Sequence, residues 1–263
     1  MKKLMLFFSV FLFLTSCTGE MFLGPSGDFN NNNTQESEKF KTGNGSKANP
    51  YRVSNAKQLN NVRNYSSKHF IQTKDIDLSD YRAGNGWEPI ADFTGTYNGQ
   101  HYKIKNLFIN KYNESTAQKI GLFGTLKAQA KLEKINLEDL QIFANKSDNV
   151  GSLVGYIIGE DVVIEKCGAT DIFIFGEDSI GGLVGHNQGV IKQSYAIGTV
   201  NGKEAVGGLV GCNEGEIASA GGIIENSYAQ GHVSGNKDVG GLVGAMAGTA
   251  PYIKSSYAAC GIT

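Results

Sequence analysis

One block, Gly-Gly-Leu-Val-Gly, is written at 181–185, at 207–211 and again at 240–244, and looser copies stand at Gly151-Ser152-Leu153-Val154-Gly155 and Ile120-Gly121-Leu122-Phe123-Gly124. Aligned on their last glycine, the copies step by 31, 30, 26 and 33 residues, a period that marks a repeat architecture. A second motif keeps register with the first: Ser194-Tyr195-Ala196, Ser227-Tyr228-Ala229 and Ser256-Tyr257-Ala258 each follow a block. Two motifs recurring together make each repeat one structural unit stacked on the next.

Helical repeats are excluded by glycine. Residues 151–263 carry 24 of the chain's 35 glycines, and each costs a helix interior about 1 kcal/mol relative to alanine. Short apolar pieces bounded by Gly, Asn, Asp or Ser read instead as strands and turns. The expected fold is therefore all-β, a parallel β-helix (β-solenoid) in which Leu and Val of each block stack along one interior. Period-2 alternation puts Ala196, Gly198 and Val200, and likewise Ala229, Gly231 and Val233, inside. Tyr195, Tyr228 and Tyr257 then fall on the opposite face as a stacked column, or in the core if the parity is inverted. Cys167-Gly168-Ala169 aligns with these triplets only after a one-residue shift.

The blocks and triplets resemble the GLUG motif, a glycine-rich repeat of bacterial surface proteins, including adhesin-like proteins and the non-catalytic parts of IgA-specific metallopeptidases. The resemblance spans roughly residues 45–263 and implies a β-helical cell-surface module. The order Tyr51-Arg52-Val53, Asp75-Ile76-Asp77-Leu78, Trp87-Glu88-Pro89-Ile90 and Phe93 to Gly99 is similar to the lead-in of GLUG proteins of the Bacteroidetes type. Residues 48–263 are accordingly expected to form one GLUG-repeat β-helix domain.

Upstream, Lys2 and Lys3 precede an apolar run, Leu4 to Leu14, too short to remain as a membrane-spanning helix. Leu14-Thr15-Ser16-Cys17 resembles the bacterial lipobox, which makes 1–16 a lipoprotein signal peptide and Cys17 the acylated first residue of the mature chain. Thr18, not aspartate, follows, which by resemblance to Gram-negative lipoproteins favours the outer membrane. Residues 17–47, rich in Asn, Gly, Ser, Glu and Lys, read as a flexible tether.

In the domain, Ser54 to Arg63 is the plausible short helix, capped by Ser54 or Asn55 with Leu59 and Val62 on its buried side. Placed there it covers the first coil and its open strand edge. His69–Leu78 and Phe93–Asn110 read as strands. After Ser256-Tyr257-Ala258 no cap is recognisable, so the far end is expected to be truncated or an association surface.

Formal net charge is -1, or -3 without Lys2 and Lys3. Residues 151–263 hold 11 acidic and 5 basic residues and no arginine, which argues against nucleic-acid binding. Cys167, Cys212 and Cys260 fit no zinc spacing and read as buried small apolar side chains, with a single disulfide of unspecified pairing as the alternative. The histidines form no His-Glu-x-x-His and no Gly-x-Ser-x-Gly elbow occurs, so no catalytic, metal or cofactor site is expected. Gly43-Asn44-Gly45-Ser46-Lys47-Ala48 resembles a phosphate loop but follows no strand.

The function expected is non-catalytic: a lipid-anchored envelope protein binding a host or cell-surface glycan or protein, with Tyr195, Tyr228 and Tyr257 as ligand contacts. The rival is a polysaccharide lyase or glycoside hydrolase, for which Asp75, Asp77, Asp80 and Asp92 are the candidate carboxylates. Asp75 and Asp77 lie in the lead-in and are expected to serve turns. A lyase needs cations to hold its acidic substrate, and Arg52, Arg63 and Arg82 all precede the repeats.

Overall fold

The computed structural model describes residues 40–112, 114, 118–215 and 221–263. The chain winds as a parallel β-solenoid, each coil from Gln118 onward laying one strand on each of four sheets and the earlier coils contributing to two of them. Sheet A has eight short strands, running from Tyr51–Val53 to Tyr252–Lys254. Sheet B holds the long ones, among them Asn136–Phe143, Gly168–Phe175, Tyr195–Asn201, Tyr228–Ser234 and Tyr257–Ile262. Two five-stranded sheets, one containing Asp178–Gly181 and the other Val184–Asn187, complete each repeat coil.

Coils stack in register, so equivalent residues form files. Leu153, Leu183, Leu209 and Leu242 run in one file, each backbone N–H donating to the next leucine's carbonyl at 2.9–3.0 Å. The first three are fully buried and Leu242 is half-buried. Ala169, Ala196, Ala229 and Ala258 make a second file. The interior tapers: Phe70, Trp87, Phe93, Tyr97 and Phe123 fill the early coils, and alanine and valine the later ones.

The glycines of the block answer a close approach. Gly181 leads through a bend at Gly182-Leu183 into the strand starting at Val184, which runs close over the strand Asp148–Gly151 of the preceding coil. A Cβ on Gly185 would lie 2.5 Å from the Asn149 carbonyl carbon and the Val150 nitrogen, so no side chain fits.

Corners are made by non-glycine residues in the left-handed region. Lys134, Lys166, Gln193, Asn226 and Ser255 form one corner file and Lys119, Asn149, Ser179, Ala205 and Asp238 another, with φ of 48–67°. In the first file the following serines form a ladder. The Cys167 and Ser194 N–H groups donate to the hydroxyls of Ser194 and Ser227 at 3.2 and 3.1 Å. Ser194 and Ser227 in turn donate to the Lys192 and Glu225 carbonyls at 2.7 and 2.8 Å. The serine of each Ser-Tyr-Ala triplet thus closes a corner and ties two coils, satisfying buried backbone groups.

The helix, α1 (Ala56–Asn61), is capped by the Asn55 side chain, which accepts the Gln58 N–H, and continues as a 3₁₀ turn, Val62–Tyr65. Leu59 and Val62 are fully buried, as their spacing requires. The ordered chain reaches back before 48: Phe40 stacks on Tyr51 with centroids 4.5 Å apart, and the His69 N–H donates to the Gly45 carbonyl at 3.1 Å. Residues 40–47, the last part of the expected tether, thus pack on the first coil. His69–Leu78 is two strands, His69–Gln72 and Ile76–Asp77, divided at a corner. Phe93–Asn110 likewise divides into Thr96–Asn98, Lys103–Lys105 and Phe108–Asn110.

Cys167-Gly168-Ala169 pairs with Ser194-Tyr195-Ala196 without a shift. The extra residue comes later, between Ala169 and Ile172, where Asp171 takes φ 53°.

Candidate functional site

The tyrosine column exists and faces outward on sheet B. Tyr195 pairs with Tyr228, and Tyr228 with Tyr257, in adjacent parallel strands whose next residues, Ala196, Ala229 and Ala258, point inward. Ring centroids are 5.2 and 5.3 Å apart and the planes differ by 10° and 6°. Face-to-face carbon contact needs only about 3.5–4.0 Å, so successive rings are offset like tiles, leaving part of each face open. Tyr257 is 61% exposed. At the other end, Tyr195 lies over Gly168, where an added Cβ would stand 2.2 Å from the ring. Glycine in place of tyrosine in that triplet seats the end of the column.

Carboxamides flank the rings. Gln193 and Asn226, on the corner file, and Gln230, two residues beyond Tyr228, expose their amides, and among the described residues none of the three side chains makes a recorded hydrogen bond. Partial burial and the neighbouring phenols push the Tyr228 hydroxyl up from its ordinary value. Offset aromatic faces beside free amides can stack on the apolar face of a sugar ring and hydrogen-bond its hydroxyls.

A second aromatic group on sheet B escaped the sequence reading. Phe173 and Phe175 are 41% and 39% exposed, with Phe108 and Phe143 beside them. Counting by two from buried Ala169 puts Phe173 and Phe175 inside. The added Asp171 reverses the parity, so Ile172 and Ile174 are buried and the phenylalanines face out. The legible signal was an acidic residue interrupting an apolar run, as at Asp139 (φ 59°) one coil earlier.

The candidate carboxylates are dispersed. Asp75 accepts the Lys103 N–H at 2.9 Å, and Asp77 accepts the Ser79 N–H at 2.9 Å and the Asn106 amide at 2.8 Å. The Ser79 hydroxyl, followed by Asn106, holds Asp77 below the usual carboxylate range. Asp80 is exposed on a 3₁₀ turn, and Asp92 pairs with Lys127 at 2.7 Å. Elsewhere, Glu88 and Glu114 both contact Lys111 Nζ, at 2.9 and 3.1 Å, beside a shallow depression. On another sheet, His186 Nε2 lies 2.7 Å from Glu214 Oε2, and its ring is tilted against Tyr156 with centroids 4.6 Å apart. Cys167, Cys212 and Cys260 are free thiols, the first two buried and the third half-buried. Burial pushes Cys167 up to about 12 and Cys212 up to about 11. Cys17, the signal peptide and the first part of the tether lie outside the described residues.

Fold and outer face together define a glycine-rich parallel β-solenoid. Residues 176–201 and 202–234 match the GLUG motif, and the chain carries GLUG repeats. It is 40% identical over 134 residues to a provisionally named Gly-rich membrane protein of Evansella cellulosilytica, a match covering 48% of this chain and 15% of that one. It is 33% identical over 154 residues to halomucin of Haloquadratum walsbyi, covering 54% and 2%. The chain thus spans at most 15% of the length of these curated relatives. Among solved structures it is similar to a provisionally named immunoglobulin A1 protease from Bacteroides ovatus, with TM-score 0.65 and 25% identity, over 85% of this chain and 70% of that one. The membrane-type name of the Evansella relative is consistent with a place in the cell envelope.

Proposed function

We propose that this protein is a lipid-anchored adhesion module of the bacterial outer membrane. Cys17 carries the acyl chains, and Tyr195, Tyr228 and Tyr257 receive a neutral glycan without cleaving it. The observation that carries the reading is the tiled, outward tyrosine column flanked by Gln193, Asn226 and Gln230. A structural column would have no use for open ring faces beside amides that bond to nothing else. The membrane-type name of one relative and the lipobox-like run support the setting.

The test is a glycan and matrix-protein array probed with the purified mature chain and with a triple Tyr→Ser variant of unchanged far-UV circular dichroism. Glycan binding lost in the variant is expected. Glycan binding that survives in it, or capture of matrix protein alone, sinks the assignment. Radiolabelled palmitate should enter the wild-type chain and not C17S.

The rival reading, a polysaccharide-active enzyme, draws on the Glu88 and Glu114 pair. Here the Lys111 ammonium occupies the space between the carboxylates, where a glycosidic oxygen would have to sit. New reducing ends or unsaturated products from any array-positive glycan would favour the rival.

A further inference from the structure

The geometry of the tyrosine column restricts which glycan it can receive. Strands Tyr195–Asn201, Tyr228–Ser234 and Tyr257–Ile262 pair residue for residue with no bulge between them, so the three rings stand in a straight file along the solenoid axis. Centroids advance 5.2 and 5.3 Å per coil, and the planes turn by only 10° and 6°. A ligand lying along the file must repeat at that step and keep its orientation from unit to unit. Strand spacing sets the step, and it is close to the advance of one sugar in a fully extended pyranose chain.

Sugar stereochemistry narrows the choice. A pyranose with every substituent equatorial has only axial C–H bonds on its two faces, and the negative face of an aromatic ring attracts those bonds. Joined through equatorial bonds, as in a β-1,4-linked gluco-configured chain, such units run straight. Each is turned over relative to the last, and each still offers an apolar face. An axial hydroxyl makes one face polar and an axial linkage coils the chain, so neither fits a straight file of like-oriented rings.

Charge narrows it further. The three strands contain no Asp, Glu, Lys or Arg. Exposed Gln193, Asn226 and Ser255 stand two residues before the tyrosines, one uncharged hydrogen-bonding side chain per coil. Lys192, Glu225 and Lys254 lie round the corner on sheet A, the first two paired at 3.7 Å. Charged groups return where the rings stop: beyond Tyr195 the file continues as Gly168, Asn136 and Lys103, with Glu138 bonded to Lys103 at 2.6 Å. The ring file is thus three sugars long, and no lysine or arginine along it holds a carboxylate or sulfate.

Taking the column as a glycan site, as proposed above, we infer that its ligand is an uncharged β-1,4-linked chain of gluco-configured sugars, bound along the solenoid axis with one unit per coil. The test is isothermal titration calorimetry of the mature chain with cello- and chito-oligosaccharides, from mono- to hexasaccharide. Malto-oligosaccharides, β-1,4-galacto-oligosaccharides and oligogalacturonates of equal length are the comparison. In the cello or the chito series, affinity is expected to rise several-fold per unit up to the trisaccharide and then level off; the series that does so identifies the sugar. Tyr228→Ser, which breaks the file in the middle, should return the trisaccharide to the affinity of the monosaccharide, with far-UV circular dichroism unchanged. Equal or tighter binding of any comparison chain overturns the inference, as does affinity independent of length or a trisaccharide indifferent to Tyr228→Ser. In those cases, glycan binding that is lost in the triple Tyr→Ser variant leaves the column's role standing. Absence of binding to every glycan removes both.

Discussion

Replacing Gly185 by alanine tests whether the block is dictated by backbone approach. The added Cβ would lie 2.5 Å from the Asn149 carbonyl carbon and the Val150 nitrogen and 2.6 Å from the Gly155 oxygen. Ordinary contact begins at 3.4 Å, so the two facing strands must part by about 1 Å. All three obstacles are backbone, and none can rotate away. Overpacking of this kind costs about 1–3 kcal/mol. Moving the strand also strains its bonds to the neighbouring coils, such as Val184 N–H to Leu209 carbonyl at 3.1 Å. Two such bonds at about 0.5–1.5 kcal/mol each bring the expected loss to about 2–6 kcal/mol. The control is Gly261→Ala, where the nearest atom is His232 Nδ1 at 3.3 Å and the change should stay within about 0.5 kcal/mol. Guanidinium unfolding followed by far-UV circular dichroism compares the midpoints. If Gly185→Ala unfolds at the same midpoint as Gly261→Ala, the close-approach account of the block is wrong.

Three further outcomes follow from buried polar and titratable groups. Ser227→Ala removes both the acceptor of the Ser194 N–H and the donor to the Glu225 carbonyl, and should cost about 1–3 kcal/mol; Ser152→Ala deletes a buried hydroxyl with no partner and should be neutral or stabilising in the same titration. Burial, then the Asp178 and Glu177 charges, raises the Asp148 carboxyl above its ordinary value, so its contribution is fully present below about pH 4 and is lost as pH rises through the higher folded-state pKa. Asp148→Asn should therefore raise the melting temperature at neutral pH and remove that loss; a variant melting lower than wild type at neutral pH refutes it. Iodoacetamide with peptide mapping should label half-buried Cys260 first and Cys167 last, since burial lifts the Cys167 thiol to about 12.

What could be read from the residues alone was whatever repeats. The leucine file and the outward tyrosines follow from motifs at constant offsets, because stacking in register turns a sequence position into a place on the axis. What could not be read was set by single residues in unusual backbone conformations. Asp171 gives only the slight warning of one acidic residue in an apolar run, yet its left-handed φ of 53° exchanges the inner and outer faces of the strand after it and brings two phenylalanines to the surface. The start of the domain was hidden for a related reason. Residues 40–47 have a linker's composition, but Asn44 folds its side chain onto the Ser46 N–H and Gly43 sits tight beneath the Pro50 carbonyl, so polar residues here build a packed turn.

The corner files separate two tasks that most folds entangle. Their positions demand a backbone angle and little of the side chain, and they already host lysine, glutamine, asparagine, serine, alanine and aspartate at φ between 48° and 67°. A ridge of such residues runs along the repeat coils, and its chemistry can be rewritten coil by coil while the leucines beneath stay as they are. Selection can thus retune what the surface recognises without reopening the question of how the chain folds.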